Sequence, residues 1–228
     1  MKRIAILLGL LLAVSCSSSR YVAADYPAID NLTLVIPYSN VWYVEKGGEK
    51  YDEENSLEQQ KMLTSILLSS DLPIKDTISV AGLDNQQYLD AAISFLPNIN
   101  VRELDQLSTD GPLDELLDEH GSEYGLIIYS DGFLKDRELY KREVTGAIIT
   151  GLVSAFVGVA VGGVTGIAAV GYITPGWQYG SSIYAMVIDT RNNKVVYYNK
   201  IKPVERNPMD WNVLSSQVEK LMKKFPRK

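Results

Sequence analysis

The spacing of hydrophobic residues along this chain first predicts its strands. Runs of β-branched and aromatic residues predict a first strand at 31–38, ended by Pro37, and a central strand at 124–134. The central run is apolar on both faces, which is typical of a strand buried inside a sheet. A further run at 181–201 predicts a β-hairpin, because Asn192-Asn193 near its middle tolerates the left-handed geometry of a tight turn.

Helical spacing occurs in four other segments and completes the predicted fold class. We expect helices over 55–73, 84–97, 111–121 and 207–225, the first starting with a capping box of Ser56 and Gln59. The residues expected to face inward are Leu57, Met62, Leu63, Ile66, Leu67, Tyr88, Leu89, Ala92, Phe95, Leu96, Leu113, Leu116, Leu117, Trp211, Leu214, Val218, Leu221, Met222 and Phe225. This order of elements predicts an α+β domain, a small mixed sheet with helices packed on it.

One long stretch interrupts this pattern, because no charged residue occurs from Val144 to Ile188. Small residues recur there at every fourth position, and such columns let helix backbones approach closely. The column consists of Gly146, Thr150, Ser154, Gly158, Gly162 and Gly166. The segment resembles the glycine-zipper segments of bacterial envelope proteins. Glycine costs about 1 kcal/mol per helical position in water, so we expect this segment to be buried in protein, in a partner or in lipid.

The positions of the flanking strands restrict how this segment could meet a membrane. Strands predicted on both sides of it share a sheet only if it crosses an even number of times, or not at all. Two helical crossings need about 40 residues, more than 144–171 supplies. A β-hairpin over 152–173 fits and resembles the membrane hairpins of lipoprotein secretion channels such as the curli exporter, but its lumen face would be apolar.

We therefore favour an apolar helical hairpin at 144–173, breaking near Gly162-Gly163, for shallow membrane insertion or self-association. A buried core hairpin of a soluble domain remains the alternative. Trp177 and Tyr179 follow the segment and are candidates for the lipid–water interface.

The N-terminus has the layout of a bacterial export signal. Two basic residues precede an apolar run that is too short to span a bilayer. The run Ala13-Val14-Ser15-Cys16 then resembles the lipobox of bacterial lipoproteins, and Cys16 is the only cysteine of the chain. The resemblance implies removal of residues 1–15, thioether lipidation of Cys16 and acylation of the new N-terminus. Residues 16–25 would form a lipidated tether to a domain at 26–228.

Net charge and the search for chemical motifs restrict the classes of function that the sequence allows. Without Lys2 and Arg3 the chain has 20 basic and 28 acidic side chains, a net charge of −8, so nucleic acid is not expected as a partner. His120 is the only histidine, and its place after an acidic helix favours a structural role. No metal, phosphate-loop or dinucleotide motif occurs. We expect no catalytic residue, metal or cofactor, and we interpret the carboxylates of 114–119 as a solvated helix face.

These patterns predict a lipid-anchored cell-envelope protein with a structural or assembly role, and not an enzyme. Its expected partners are membrane lipid, copies of itself or another envelope protein. Ser17, which follows the lipidated cysteine, resembles an outer-membrane sorting signal, so we expect the periplasmic side of the outer membrane. Two alternatives are a periplasmic binding or regulatory module that recruits a protein partner, and a subunit similar to secretion channels.

Overall fold

The computed structural model describes residues 20–24, 26–79, 96–106, 109, 112–150 and 176–226. Over these residues the chain forms seven strands and four α-helices, which confirms the α+β class. In chain order the elements are β1 (Arg20–Val22), β2 (Leu32–Glu45), β3 (Gly48–Tyr51), α1 (Glu53–Leu68), β4 (Ile74–Ile78), two 3-10 turns (Leu96–Asn98 and Val101–Gln106), α2 (Pro112–Glu119), β5 (Tyr124–Lys135), α3 (Arg137–Thr150), β6 (Tyr179–Asp189), β7 (Lys194–Val204) and α4 (Trp211–Met222).

All seven strands belong to one mixed sheet in the order β1-β7-β6-β5-β2-β3, with β4 also beside β2. β2 is parallel to β4 and β5, and every other pair is antiparallel. One end of the sheet is defined by the last register pairs of its central strands, which are Val44 with Lys135, Leu134 with Tyr179, and Ser181 with Val204. We call this the Lys135 end. The opposite end, where β5 begins beside the β6–β7 turn, is the Tyr124 end.

Helices cover both faces of the sheet because its central strands are apolar on both faces. On one face, α1 and α4 pack over a buried cluster that includes Leu34, Leu126 and Val187. On the other face, α2 and the two 3-10 turns pack over a second cluster that includes Ile127 and Ile188. The predicted central strand is therefore confirmed as the middle of a three-layer arrangement.

Two predicted turns are confirmed in detail. α2 ends at Glu119, and Gly121, two residues later, has φ +64°. The N–H of Ser122 donates a hydrogen bond to the Leu117 carbonyl. Such a left-handed residue is a common way to end a helix. Between β6 and β7, Asn193 has φ 49°, the left-handed geometry that the sequence predicted for this turn.

The prediction that Pro37 ends the first strand is wrong. β2 continues to Glu45, and the register between β2 and β5 shifts between Val35 and Tyr38. Proline has no N–H to donate to a neighbouring strand and is tolerated where a bulge interrupts the ladder. The irregularity therefore absorbs Pro37 and lets the strand run on.

The capping box predicted for α1 is also wrong. The helix begins one turn earlier, where the Asp52 side chain accepts a hydrogen bond from the Asn55 N–H. Ser56 lies inside the helix and is buried, and its Oγ accepts from the Val41 N–H at 2.9 Å. Leu57, expected to face inward, is 48% exposed, because this register turns Ser56 and Gln59 towards the sheet instead. Trp211, at the start of α4, is likewise exposed rather than buried.

Part of the segment that was expected to be a tether belongs to the sheet. Arg20–Val22 forms the edge strand β1, with Arg20 opposite Asn199 and Val22 opposite Tyr197. The helix expected at 84–97 lies outside the described residues until Leu96, and Pro97 is part of a 3-10 turn.

Candidate functional site

The Lys135 end of the sheet is where the uncharged stretch begins, and α3 carries the chain into it. Asp136 follows β5 directly, and its carboxylate accepts from the N–H groups of Glu138 and Leu139 at 3.0 and 2.9 Å. These bonds, the one from Leu139 first, hold the pKa of Asp136 below its ordinary value. The Asp136 carboxylate thus accepts from N–H groups of the first turn of α3, which have no hydrogen-bond partner inside the helix.

A buried ion pair joins α3 to the sheet. Lys135 Nζ lies 2.6 Å from Glu143 Oε2, and the Lys135 side chain is 1% exposed whereas that of Glu143 is 30% exposed. The same Glu143 oxygen accepts a hydrogen bond from the Gly176 N–H at 3.1 Å, and the Lys135 N–H donates to the Gln178 carbonyl. Glu143 therefore binds the end of the sheet and the returning chain together.

We call Lys135, Glu143 and Gly176 the stem. Glu143 and Gly176 are 33 residues apart in sequence yet share a hydrogen bond. Both ends of the segment between them therefore lie at the Lys135 end of the sheet. The strands on either side of the segment, β5 and β6, are neighbours in one sheet, which is the condition from which the sequence predicted an even number of membrane crossings or none.

The structure describes only part of the predicted contact site. α3 continues seven residues into the uncharged stretch, so Gly146 and Thr150 have helical backbone. Cys16 and the column residues Ser154, Gly158, Gly162 and Gly166 lie outside the described residues, as does the rest of the predicted helical hairpin. No helix in the described part of the chain is both long and apolar enough to cross a membrane.

The two predicted interface aromatics lie beside the stem. Trp177 is half-buried and packs on a small apolar cluster of Val44, Phe133, Leu139 and Trp42. Tyr179 is half-buried and opens β6, opposite Leu134. Both aromatic side chains therefore sit where the returning chain rejoins the sheet.

The residues considered for catalysis are separated from this site. His120 follows α2, and its Nδ1 lies 2.9 Å from the Leu116 carbonyl oxygen, a local contact with the preceding helical turn. The interpretation of 114–119 as a solvated face is wrong for Asp114, which is buried, while Glu115, Asp118 and Glu119 are exposed. Among the described residues, no group of three or more histidine, cysteine or carboxylate side chains could hold a metal ion.

Three polar residues form a row across the sheet, four residues before Lys135 along β5, and we call them the polar row. Asn40, Asp131 and Ser182 lie side by side on β2, β5 and β6, and all three are buried. Burial raises the pKa of Asp131 well above its ordinary value, which favours the neutral carboxyl group. Tyr129, two residues before Asp131, stacks between Tyr38 and Tyr184 with ring centroids 6.1 and 5.7 Å apart.

Sequence reasoning missed the stem and the polar row. Lys135 and Glu143 occupy a strand end and a helix in a segment dense with charge, where nothing distinguishes this pair from its neighbours. Asp131 had a readable signal, because a carboxylate inside an otherwise apolar strand is expected to be buried with a perturbed pKa.

Comparison with known proteins gives distant likenesses to solved structures. No family model and no curated protein matches this chain. Similar solved structures include the PelC dodecamer from Paraburkholderia phytofirmans, at 8% identity and a TM-score of 0.37, covering 92% of this chain and 96% of that one. The C-terminal domain of LpoB from Salmonella enterica is similar at 9% identity and a TM-score of 0.31, covering 81% and 88%.

A lipoprotein from Neisseria meningitidis is similar at 9% identity and a TM-score of 0.32, covering 86% of this chain and 98% of that one. At these TM-scores and identities the likenesses carry no argument about function.

Proposed function

We propose that this chain is a lipid-anchored cell-envelope protein with a structural or assembly role, whose uncharged glycine-rich segment contacts the membrane or other copies of the chain. The observation that carries this proposal is the stem. Glu143 and Gly176 meet at the Lys135 end of the sheet, and we call the segment between them the excursion.

The glycine-rich segment is poorly suited to a helix in water. A glycine-rich helix without charges is unstable when it is solvated, since each glycine costs about 1 kcal/mol relative to alanine. The same sequence is stabilised where its small residues let another helix or copy approach closely. A segment of this composition is favoured only where protein or lipid excludes water.

A buried ion pair joins the sheet to both ends of the excursion. Lys135 is almost fully buried, and a buried charge is costly unless an opposite charge accompanies it. Glu143 provides that charge and in the same contact binds Gly176. The seven strands form one sheet, so we expect the domain to lie on one side of any membrane that the excursion contacts.

The third argument concerns the N-terminus. A signal-like segment ends in the only cysteine of the chain, at Cys16, four residues before the sheet begins at Arg20. Lipidation there would keep the domain, and therefore the excursion, at a membrane surface. Two or more acyl chains give stable anchoring where one chain gives only reversible binding.

The experiment measures separately the contributions of the lipid on Cys16 and of the glycine-rich segment. Four full-length chains are compared: the parent, Cys16→Ala, a deletion of residues 146–171, and both changes together. Each is measured by co-sedimentation with phospholipid vesicles and, in mild detergent, by oligomer size in analytical ultracentrifugation. A chain in which a Gly/Ser linker of equal length replaces 146–171 controls for length.

We expect Cys16→Ala alone to retain vesicle binding or self-association, and the deletion or the linker to abolish it in that background. Loss with the deletion but not with the linker would mean that length, rather than apolar character, is what matters. If the deletion leaves both behaviours unchanged in the Cys16→Ala background, the proposed role of the excursion is refuted. The alternative of a module that recruits a soluble partner would then be favoured.

A further inference from the structure

A serine precedes each member of the polar row and points to the opposite face of the sheet. Ser39 of β2 is opposite Ser130 of β5, and Ser130 is opposite Ile183 of β6. Ile183 belongs to the buried cluster beneath α1 and α4, and residues opposite each other in register point to the same face. Ser181, two residues before Ile183, shares that face because side chains alternate along a strand. All three serines are buried.

Two buried glutamines reach this row from the helices. Gln217 of α4 is 5% exposed, and its Oε1 accepts a hydrogen bond from Ser181 Oγ at 3.1 Å. Gln59 of α1 is 0% exposed, and its Nε2 donates to the Pro208 carbonyl at 2.8 Å. Pro208 in turn lies against Gly132, which is opposite Ser181 in the register of β5 and β6. The two glutamine side chains therefore reach the same region of the sheet.

Each of these hydrogen bonds uses one atom of a glutamine amide. The other atoms, Gln59 Oε1 and Gln217 Nε2, are buried without a hydrogen-bond partner among the described residues, and so is Ser39 Oγ. Because the Pro208 carbonyl only accepts, it fixes Nε2 as the bonded atom of Gln59 and leaves the oxygen as the unpaired one. The region therefore presents an acceptor, a donor and a hydroxyl that can do both.

These three groups match the hydrogen-bonding capacity of a water molecule. Nearly all buried polar atoms in folded proteins are paired with protein or with ordered water, because burial without a hydrogen bond is unfavourable. A buried water molecule forms about three hydrogen bonds and both donates and accepts. None of the three groups carries a charge, so water is favoured over an ion as their ligand.

The serines also favour space for a small ligand between the sheet and the helices. On this face of β5, Leu126 and Ile128 are followed by Ser130. On β6, the buried Ile183 is preceded by Ser181. A serine side chain is shorter than that of leucine or isoleucine, so we expect the layers to be less completely filled at the serines than over the apolar cluster.

We propose that Ser39, Gln59 and Gln217 bind an internal water molecule that links the sheet to α1 and α4. The water donates to Gln59 Oε1, accepts from Gln217 Nε2 and pairs with the Ser39 hydroxyl. A fully paired buried network of this kind favours one arrangement of the layers over others. The site is independent of the proposed lipid attachment and of the excursion, because all of its residues belong to the described domain.

Oxygen-17 magnetic relaxation dispersion tests the site in the full-length protein in detergent micelles. It counts water molecules that exchange slowly with the solvent, and it does not detect hydroxyl or amide protons. The parent is compared with the double variant Gln59→Met and Gln217→Met, since methionine is unbranched like glutamine but has no amide. Gln60→Met makes the same change at a half-buried position of the same helix and is the matched control.

We expect the parent to have about one more slowly exchanging water molecule than the double variant, and Gln60→Met to match the parent. Equal counts in the parent and the double variant would overturn the proposal. A count lowered as much by Gln60→Met would also overturn it, because the loss would then not depend on the site.

A measurement on the parent alone covers the case in which the double variant does not fold. Nuclear Overhauser cross-peaks with water should show a long-lived contact at the Gln217 side-chain amide and only brief contacts at that of Gln60. Absence of the long-lived contact at Gln217 would refute the water site. A contact at Gln217 without any slowly exchanging water in the oxygen-17 data would arise from the Ser181 hydroxyl, and would refute the site as well.

Discussion

The ion pair of the stem leads to a sharp prediction about stability. Replacing Glu143 by Gln keeps an oxygen that can accept from Gly176 but removes the carboxylate that pairs with Lys135, whose side chain is 1% exposed. Removing one partner of a fully buried pair costs about 3–5 kcal/mol. Because Glu143 is 30% exposed and water can reach its side of the pair, we expect a loss of about 2 kcal/mol in the free energy of unfolding.

A neighbouring pair on the same helix is the natural control. Glu138 and Lys141 are 2.7 Å apart, but their side chains are 66% and 53% exposed. Exposed pairs contribute little, so Glu138→Gln should change the free energy of unfolding by less than about 0.5 kcal/mol.

The assay is urea unfolding of the full-length protein in detergent micelles, with tryptophan fluorescence as the signal. Lys135→Met combined with Glu143→Gln should cost less than the two single losses added together, because the double variant has no unpaired buried charge. If Glu143→Gln costs no more than Glu138→Gln, or if the two stem substitutions are additive, the stem does not hold the ends of the excursion as described.

Single substitutions in the sheet and in the β6–β7 turn test three other features of the fold. Gly132→Ala should cost about 2 kcal/mol in urea unfolding, because its Cβ would lie 2.7 Å from Pro208 Cβ, whereas Gly47→Ala, with no atom within 4 Å, should be nearly neutral. Asp131→Asn should be more stable than the parent at neutral pH. The pKa of Asp131 is raised in the folded parent, so the parent loses stability as pH rises above the unfolded value of 3.8, and the advantage of the variant should vanish at more acidic pH. An advantage that grows on acidification would contradict this prediction. Asn193→Val should lose about 1–2 kcal/mol in thermal unfolding while Asn193→Gly does not, since φ is 49° there; equal losses would exclude the turn as the cause.

Local patterns were sufficient for the central strand, the β6–β7 hairpin and α2. Each has a signal that neighbouring residues do not override, such as the apolar run of β5 or the left-handed turn at Asn193. The cap of α1 was misplaced because Asp52 and Ser56 both suit an N-cap, and the choice depends on Ser56 accepting a hydrogen bond from the Val41 N–H of β2.

By itself, the sequence determined the α+β class and the position of an uncharged, glycine-rich stretch between strands of that domain. Those features depend on residue type and short-range spacing, which are present in the chain before it folds. Only the tertiary structure decided that β2 continues past Pro37, that Arg20 joins the edge of the sheet, and that Glu143 meets Lys135 and Gly176. Such contacts join residues far apart in sequence, and their energy depends on burial that arises only when the layers pack together.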